Sequence, residues 1–316
     1  MEDVLVSVVV VSYNSSEFIL ETLDSIKNQS YNNLELIITD DSSTDNTVSK
    51  CEEWLEVNKS RFVRVKLISP EKNTGIPANC NRGVREANGE WVKLIAGDDL
   101  LAKDSIKLLM EDVKPEKDII IGSMKRFFVP SDGAKKIESM TIPQGYDFFF
   151  KWNAPKQNRY LLLHRPGFAA GAFIRRSLYD KVGYYDEQYT YMEDLPFWIK
   201  ATKKGVKIWR TNSVVALYRM HESVSHVQKQ SYVNIRYYDC IKKVDKECLM
   251  KNIPWYCFSF WESIWLYHFR YWVLIHVFNN KKSLLGDLFS KVTSCLRIER
   301  FFNPLENYIY NKVLYK

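Results

Sequence analysis

The 316-residue sequence predicts an α/β fold, with a central, mostly parallel sheet flanked by helices and a helical extension after it. Three observations predict it. Apolar runs rich in β-branched residues alternate with segments of helical period, polar clusters fall where those runs end, and beyond Gln230 the strand pattern gives way to helices dense in aromatic and basic residues. An apolar content of 46% over this length buries a sizeable core and sets disorder aside.

The elements follow in order. Val4 to Ser12 reads as the first strand; it is too short to span a bilayer and has no basic segment before it, so neither a secretion signal nor an N-terminal anchor is expected. Ser15 or Ser16 is placed to cap the first helix, whose Ile19, Leu23 and Ile26 share a face. Leu34 to Thr39 is the second strand, and Val48, Cys51 and Leu55 mark the second helix. Val63 to Ile68 is the third strand, Gly89 is placed to end the third helix, and Trp91 to Ile95 is the fourth strand. Alternation of this kind places ligands beyond the carboxyl ends of the strands. Ser12-Tyr13-Asn14, Asp40-Asp41-Ser42-Ser43 and Gly97-Asp98-Asp99 all sit there. Later elements are mixed: strands at Asp118 to Ile121 and Gly171 to Arg175, a helix from Glu193 to Lys204, and strands at Val206 to Trp209 and Val214 to Tyr218. The expected domains are a catalytic one at residues 1–228, with halves at about 1–117 and 118–228, and an extension at 229–316.

Charge is distributed unevenly. Residues 229–316 carry 14 basic and 7 acidic side chains, whereas the first 228 carry 31 of each, so the net charge of +7 belongs to the tail. The balanced first part has no basic stripe, and nucleic acid is not an expected partner. Six cysteines show neither metal-like spacing nor a dense disulfide framework, which points to reduced thiols and a cytoplasmic location.

Two acidic doublets carry candidate chemistry. Asp98-Asp99 leaves a strand straight after Gly97, and adjacent carboxylates are relieved by a divalent cation such as Mn²⁺ or Mg²⁺ with oxygen ligands. A turn feeding a helix N-cap is the other reading. For Asp40-Asp41 the alternative is an Asx-turn into the helix near Thr44, a role that one of the two is expected to play. Glu193-Asp194 opens a helix, where acidic charge is favoured by the macrodipole whatever else it does.

The ordered set resembles the inverting glycosyltransferases of family 2, which have the GT-A fold. The resemblance runs through Val6 to Asn14, Ile37 to Thr47, Asn73 to Gly83, Gly89 to Asp99, Gly167 to Gly205 and Tyr218 to Ser225, in family order and spacing. It implies that Val11, Ser12 and Tyr13 with Asp41 hold the nucleotide base, with Asp41 accepting from a pyrimidine N–H. Asn73, Gly75 and Asn81 would contact the donor, Asp98 and Asp99 would hold ribose and metal, and Glu193 would border the substrate. Asp194 resembles the catalytic base, which takes the acceptor hydroxyl's proton as that oxygen attacks the anomeric carbon. His221 matches a position that completes the metal site in several relatives, with a surface-loop histidine as the alternative. The chain departs from the family twice: Ala96 replaces a carboxylate two residues before Asp98, and Asn79 and Cys80 replace a small residue and an arginine.

The expected activity is therefore a metal-dependent inverting transfer from a nucleoside-diphosphate sugar, by frequency a UDP-sugar, to a hydroxyl of a glycan or lipid-linked glycan in cell-surface polysaccharide synthesis. A silent nucleotide-binding module and a basic-tail binding protein are the rivals. In the tail, Trp255, Trp261, Trp265, Tyr267 and Trp272 share Ile253 to Phe278 with Glu262, His268, Arg270 and His276. A central Arg costs about 2.5 kcal/mol or more in hydrocarbon, which argues against a spanning helix. An interfacial helix meeting anionic lipid through Lys281, Lys282, Lys291, Arg297 and Arg300 is one reading; a cap on the catalytic domain or a dimer contact is the other.

Overall fold

The computed structural model describes residues 4–129, 135–220, 230–253 and 257–295. The chain forms two compact units, Met1–Met220 and His221–Lys316.

In the first unit, β1 (Val6–Ser12), β2 (Leu34–Asp40), β3 (Arg64–Ile68) and β4 (Trp91–Ala96) pair in parallel in the order β3-β2-β1-β4. β1 reads VSVVVVS and is buried along nearly its whole length, as a strand covered on both faces must be. The crossovers are α1 (Ile19–Lys27), α2 (Thr47–Asn58) and α3 (Ile76–Glu86). Ile19, Leu23 and Ile26 of α1 and Cys51 and Trp54 of α2 pack with Val8, Val10, Leu36 and Ile38 in one apolar cluster. Ser15 helps to start α1, but through its main chain: its carbonyl accepts from Phe18 N and Ile19 N, both at 2.9 Å, and no side chain caps the helix.

At the amino-terminal edge of this parallel sheet a carboxylate is buried. Glu35 accepts from Ser7 Oγ (2.5 Å), Asn88 N (2.5 Å), Gly89 N (3.0 Å) and Arg64 (3.0 Å). Burial would raise its pKa, but these donors outweigh it and hold the carboxyl below its ordinary value. Gly89 does not end α3, which stops at Glu86; it lets the chain pass against β1, where a Cβ would lie 2.6 Å from Ser7 N.

Beyond β4 come a two-residue strand β5 (Leu100–Leu101), α4 (Ser105–Glu111), β6 (Ile119–Phe128) and β7 (Lys136–Ile142). Two helices follow, α5 (Asp147–Lys151) and α6 (Ala154–Leu163), then β8 (Ala172–Arg175), α7 (Arg176–Val182), α8 (Asp194–Lys203) and β9 (Ile208–Arg219). The sheet continues β4-β8-β6-β9-β5, with β7 on β6; β8 runs antiparallel to its neighbours and β9 parallel to β6. The two strands expected at 206–209 and 214–218 are one strand, β9, which absorbs the polar Thr211-Asn212-Ser213 stretch through register shifts against β6.

The second unit contains α9 (Ile235–Val244), a π-helical turn Asp245–Leu249, α10 (Phe258–His276) and α11 (Leu284–Cys295). His268 joins α9 to α10: its Nε2 lies 3.0 Å from the buried Asp245 carboxylate, and its Nδ1 lies 3.1 Å from the Tyr238 hydroxyl. Among the described residues no helix is long and apolar enough to cross a membrane. Trp255, Arg297 and Arg300 lie outside the described residues.

Candidate functional site

Parallel register brings three of the motifs level. Ser12 pairs with Asp40 across β1–β2, and Val11 pairs with Ala96 across β1–β4, so the turns that follow leave the sheet side by side. Gly97 fits here because a Cβ would come within 3.0 Å of Ser12 Cβ and 3.1 Å of Ser15 Oγ.

The doublet Asp40-Asp41 divides its labour. Asp40 makes the Asx-type turn, accepting from Ser43 N (2.7 Å), Ser43 Oγ (2.5 Å) and Ser12 Oγ (3.1 Å). Asp41 points to the other side. Its Oδ2 accepts from Thr74 N (3.0 Å) and Gly75 N (2.8 Å), and its Oδ1 accepts from Thr74 Oγ1 (2.6 Å) and Arg82 Nη2 (3.2 Å). Four donors fill the acceptor capacity of a carboxylate. A further N–H donor would reach Asp41 only by displacing one of them.

Arg82 was not singled out from the sequence. It projects from α3 and also donates to Asn79 Oδ1 (2.8 Å), Thr39 Oγ1 (3.2 Å) and Thr74 Oγ1 (2.7 Å). Its neighbour Gly83 lets α3 lie flat on the sheet, since a Cβ there would sit 2.3 Å from Val9 Cγ1. A charged residue beside a helix glycine was the available signal, but its partners are distant in sequence. The Asn79 and Cys80 that depart from the family pattern are both buried, so neither presents a side chain to solvent.

The acidic pair after β4 is asymmetric. Asp98 is half-buried. Asp99 is buried, and its Oδ1 accepts from Arg219 N at 2.8 Å, while Arg219 Nε donates to the Asp98 carbonyl at 2.7 Å. Burial and then the Asp98 charge push the Asp99 carboxyl up to about 8. Beneath the pair lies Lys93, a wholly buried lysine on β4 whose Nζ donates to Ala170 O (2.5 Å) and Ala172 O (3.2 Å). Burial pulls it down to about 7, against the attraction of Asp99. Among the described residues no group of three or more His, Cys, Asp or Glu side chains is placed to hold a metal ion. The pair therefore offers oxygen donors only, an incomplete set suited to Mg²⁺ or Mn²⁺ with phosphate or water filling the remaining positions, and a cation relieves the like-charge crowding. His221 lies outside the described residues.

The third acidic group reaches this edge through α3. Ile76 N donates to Thr190 O at 3.0 Å, and Gly75, at φ +91°, packs so closely on Thr190 that a Cβ would be 3.0 Å from its carbonyl oxygen. Asn81 fastens the same loop, donating to Tyr185 O (2.9 Å) and Glu187 Oε1 (2.8 Å) and accepting from Tyr185 N (2.9 Å). Glu193 and Asp194 follow at the start of α8. Both keep partial exposure although protein surrounds them on most sides. Burial and then the Asp194 charge raise Glu193 to about 8. Burial also raises Asp194, opposed by Leu195 N, which donates to its Oδ1 at 2.7 Å. Burial pushes the Cys80 thiol well up, and the charges of Glu193, Asp41 and Asp194 add to the rise.

The expected site residues thus fall into two sets. Tyr13 and Asn73 are exposed, and Val11, Gly75, Asp98, Glu193 and Asp194 keep partial exposure. Ser12, Asp41, Asn81 and Asp99 are buried and engaged. For Ser12 and Asn81 the side chains are taken up by contacts within the protein. Ser12 uses its hydroxyl on Asp40 and its carbonyl on Asp41 N, and Asn81 has spent its amide on the 185–187 loop.

Comparison with known proteins supplies the context. A model of the family described as glycosyl transferase family 2 matches residues 7–183. An uncharacterized glycosyltransferase of Haemophilus influenzae is 28% identical over 258 residues, 80% of this chain and 74% of the relative. The Escherichia coli protein WfaP, named a UDP-Glc:alpha-D-GlcNAc-diphosphoundecaprenol beta-1,3-glucosyltransferase, is 26% identical over 219 residues, 69% of this chain and 78% of its own. Among solved structures, S. aureus TarS 1-349 in complex with UDP-GlcNAc superposes with a TM-score of 0.56 at 23% identity, covering 79% of this chain and 68% of that one. The mannosyltransferase PcManGT from Pyrobaculum calidifontis, in complex with GDP-Man and Mn2+, gives a TM-score of 0.51 at 22% identity, covering 73% and 59%. These likenesses carry the fold, which is GT-A.

Proposed function

Because this chain belongs to glycosyl transferase family 2 and is a glycosyltransferase, we propose that it moves a sugar, with inversion, from a UDP-sugar to a hydroxyl of a glycan or lipid-linked glycan in polysaccharide synthesis. One observation carries the proposal: the turns bearing Asp98-Asp99 and Asp41 leave the sheet side by side, and Gly75, which donates to Asp41, packs on Thr190 in the loop that leads to Glu193-Asp194. The names of relatives support the donor and acceptor classes, since WfaP is named for UDP-Glc and a diphosphoundecaprenol-linked acceptor, and TarS binds UDP-GlcNAc.

In this reading the exposed Tyr13 ring receives the base, and Asp41, held by Thr74, Gly75 and Arg82, sets the pocket edge. Asn73 and Gly75 border the donor. Asp98 faces ribose and diphosphate, and Asp99 ties that turn to β9. Asp98 and Asp99 would hold a Mn²⁺ or Mg²⁺ ion, with His221 as a further ligand; when bound, the ion supplies positive charge against the departing diphosphate. Asp194 takes the proton of the acceptor hydroxyl as its oxygen forms the new bond to the anomeric carbon and the bond to the nucleoside diphosphate breaks. A carboxyl raised by desolvation suits that task, because its basicity lies nearer neutral pH than that of a solvated Asp. Glu193 borders the substrate beside it. We place the reaction at the cytoplasmic face of a membrane, with Cys51, Cys80 and Cys295 as free thiols in keeping with a reducing compartment.

The test is release of nucleoside diphosphate from a panel of nucleotide sugars with Mn²⁺ or Mg²⁺. Turnover of a UDP-sugar, lost in Asp194→Asn while nucleotide binding persists, is the expected result. A protein that neither binds nor turns over any nucleotide sugar would sink the proposal, and one that binds without turnover would be a silent module.

A further inference from the structure

We propose that the second unit lies on an anionic membrane surface, with the outward face of α11 inserted among lipid headgroups and the lysines around it paired to lipid phosphates. The inward side of α11 is fixed by Gly286 and Thr293, both buried and two turns apart. Gly286 sits so close to Tyr232 that a Cβ would be 2.3 Å from its hydroxyl, and Thr293 Oγ1 accepts from Arg270 Nε at 2.9 Å. With those residues inward, a rotation of 100° per residue turns Leu284, Leu288 and Val292 outward. Their exposure agrees: Leu284 is 90% exposed, Leu285 72%, Leu288 59% and Val292 51%. A helix on a globular unit ordinarily shows its polar side to water, and here Leu284, Leu288 and Val292 share that side with Lys291 and Asp287. Apolar residues exposed together in this way mark an interaction face.

Charge selects the partner. Lys281 and Lys282 precede the helix, and Lys291 lies on its exposed side. From Arg270 to Cys295 the sequence holds four Lys or Arg residues against the single acid Asp287. A second copy of the chain, docked face to face, would set the same basic rim against itself, whereas phosphate headgroups above an acyl layer satisfy both the lysines and the leucines. As no described helix is long and apolar enough to span, the mode is attachment in the plane of the surface. The surface goes beyond the donor chemistry and does not depend on it, although it suits a lipid-linked acceptor.

The experiment is sedimentation of the full chain with phosphatidylcholine vesicles containing about one third phosphatidylglycerol, against pure phosphatidylcholine. The expected result is binding to the anionic vesicles that weakens as salt rises from about 0.05 M to about 0.5 M. The pair Leu284→Asn and Leu288→Asn should lower it about tenfold or more, with circular dichroism and nucleotide binding unchanged. The triple change Lys281→Gln, Lys282→Gln and Lys291→Gln should remove the preference for anionic lipid. Absence of vesicle binding, or binding indifferent to the leucine pair, overturns the proposal. So does a leucine pair that converts a dimer to a monomer without altering vesicle binding. Nucleotide-sugar turnover without vesicle binding removes this surface alone, and vesicle binding without turnover leaves it standing.

Discussion

Exchange of Asp41 for Asn should separate two jobs of one carboxylate. The amide oxygen can keep the Thr74 and Gly75 N–H groups, now at 3.0 and 2.8 Å, which leaves the NH₂ facing Thr74 Oγ1 and Arg82 Nη2. The hydroxyl can turn and accept, but the guanidinium cannot. The loss is therefore chiefly that of the Asp41–Arg82 pair, whose side chains are 4% and 19% exposed. A hydrogen bond to a charged group contributes about 1.5–3 kcal/mol, and Arg82 keeps Asn79, Thr39 and Thr74 as acceptors, so about 2 kcal/mol is expected for Asp41→Asn. Arg82→Met should cost about 1–2 kcal/mol, and the double variant should be less destabilised than the sum by about 1 kcal/mol or more. Urea unfolding of the four proteins measures the cycle, and calorimetric titration with UDP measures its functional side. UDP affinity should fall about tenfold in Asp41→Asn, with little further loss in the double variant. A coupling below about 0.3 kcal/mol, or UDP affinity unchanged in Asp41→Asn, would refute the reasoning.

Three further outcomes follow from the same geometry. Glu193, raised to about 8, holds a proton in the folded state that the unfolded chain releases, so its contribution to stability is full below about pH 4 and is lost as pH rises towards 8; Asp194, also raised, acts with the same sign. Activity should run the other way, with kcat/KM climbing as pH rises and the Asp194 base ionises; a flat pH profile, or one unchanged in Glu193→Gln, contradicts the assignment. Glu35 has the opposite sign: its lowered carboxyl contributes stability that is full above about pH 4.3 and fades as pH falls through its folded value. Glu35→Gln should cost about 2–4 kcal/mol in urea unfolding at neutral pH and flatten the acid limb, whereas an acid limb identical to that of the wild type would remove Glu35 from the account. Gly83→Ala places a methyl 2.3 Å from Val9 Cγ1 and should lower stability by about 1–3 kcal/mol despite the better helix propensity of Ala, with UDP binding weakened as α3 lifts; unchanged thermal unfolding would show that α3 has room.

Much of the fold was legible because its signals are local. The strands of the parallel half are continuous β-branched runs, and β1 to β4 lie within two residues of where periodicity puts them. β5 and β7 were not legible: one is two residues long, and the other exists because β6 offers it an edge. β9 was read as two strands because Thr211-Asn212-Ser213 favours a turn locally, while pairing with β6 carries the chain through. Chemistry followed the same division. The doublets at 40–41, 98–99 and 193–194 stood out as residue types at strand and helix ends, yet the sequence did not say that Asp40 makes the turn while Asp41 meets Arg82.

By itself, then, the sequence determined the alternation of strands and helices, the family and the edge of the sheet where the acids gather, since each depends on neighbours within a few residues or on ordered motifs. Only the tertiary structure decided which members of those motifs keep solvent contact and which are spent holding others. Asn81 and Ser12 are buried, Arg82 clamps Asp41, Lys93 lies beneath Asp99, and the leucines of α11 face outward. The physical reason is that burial and hydrogen-bond partnership are set by groups tens of residues apart, and local pattern does not encode which of them meet.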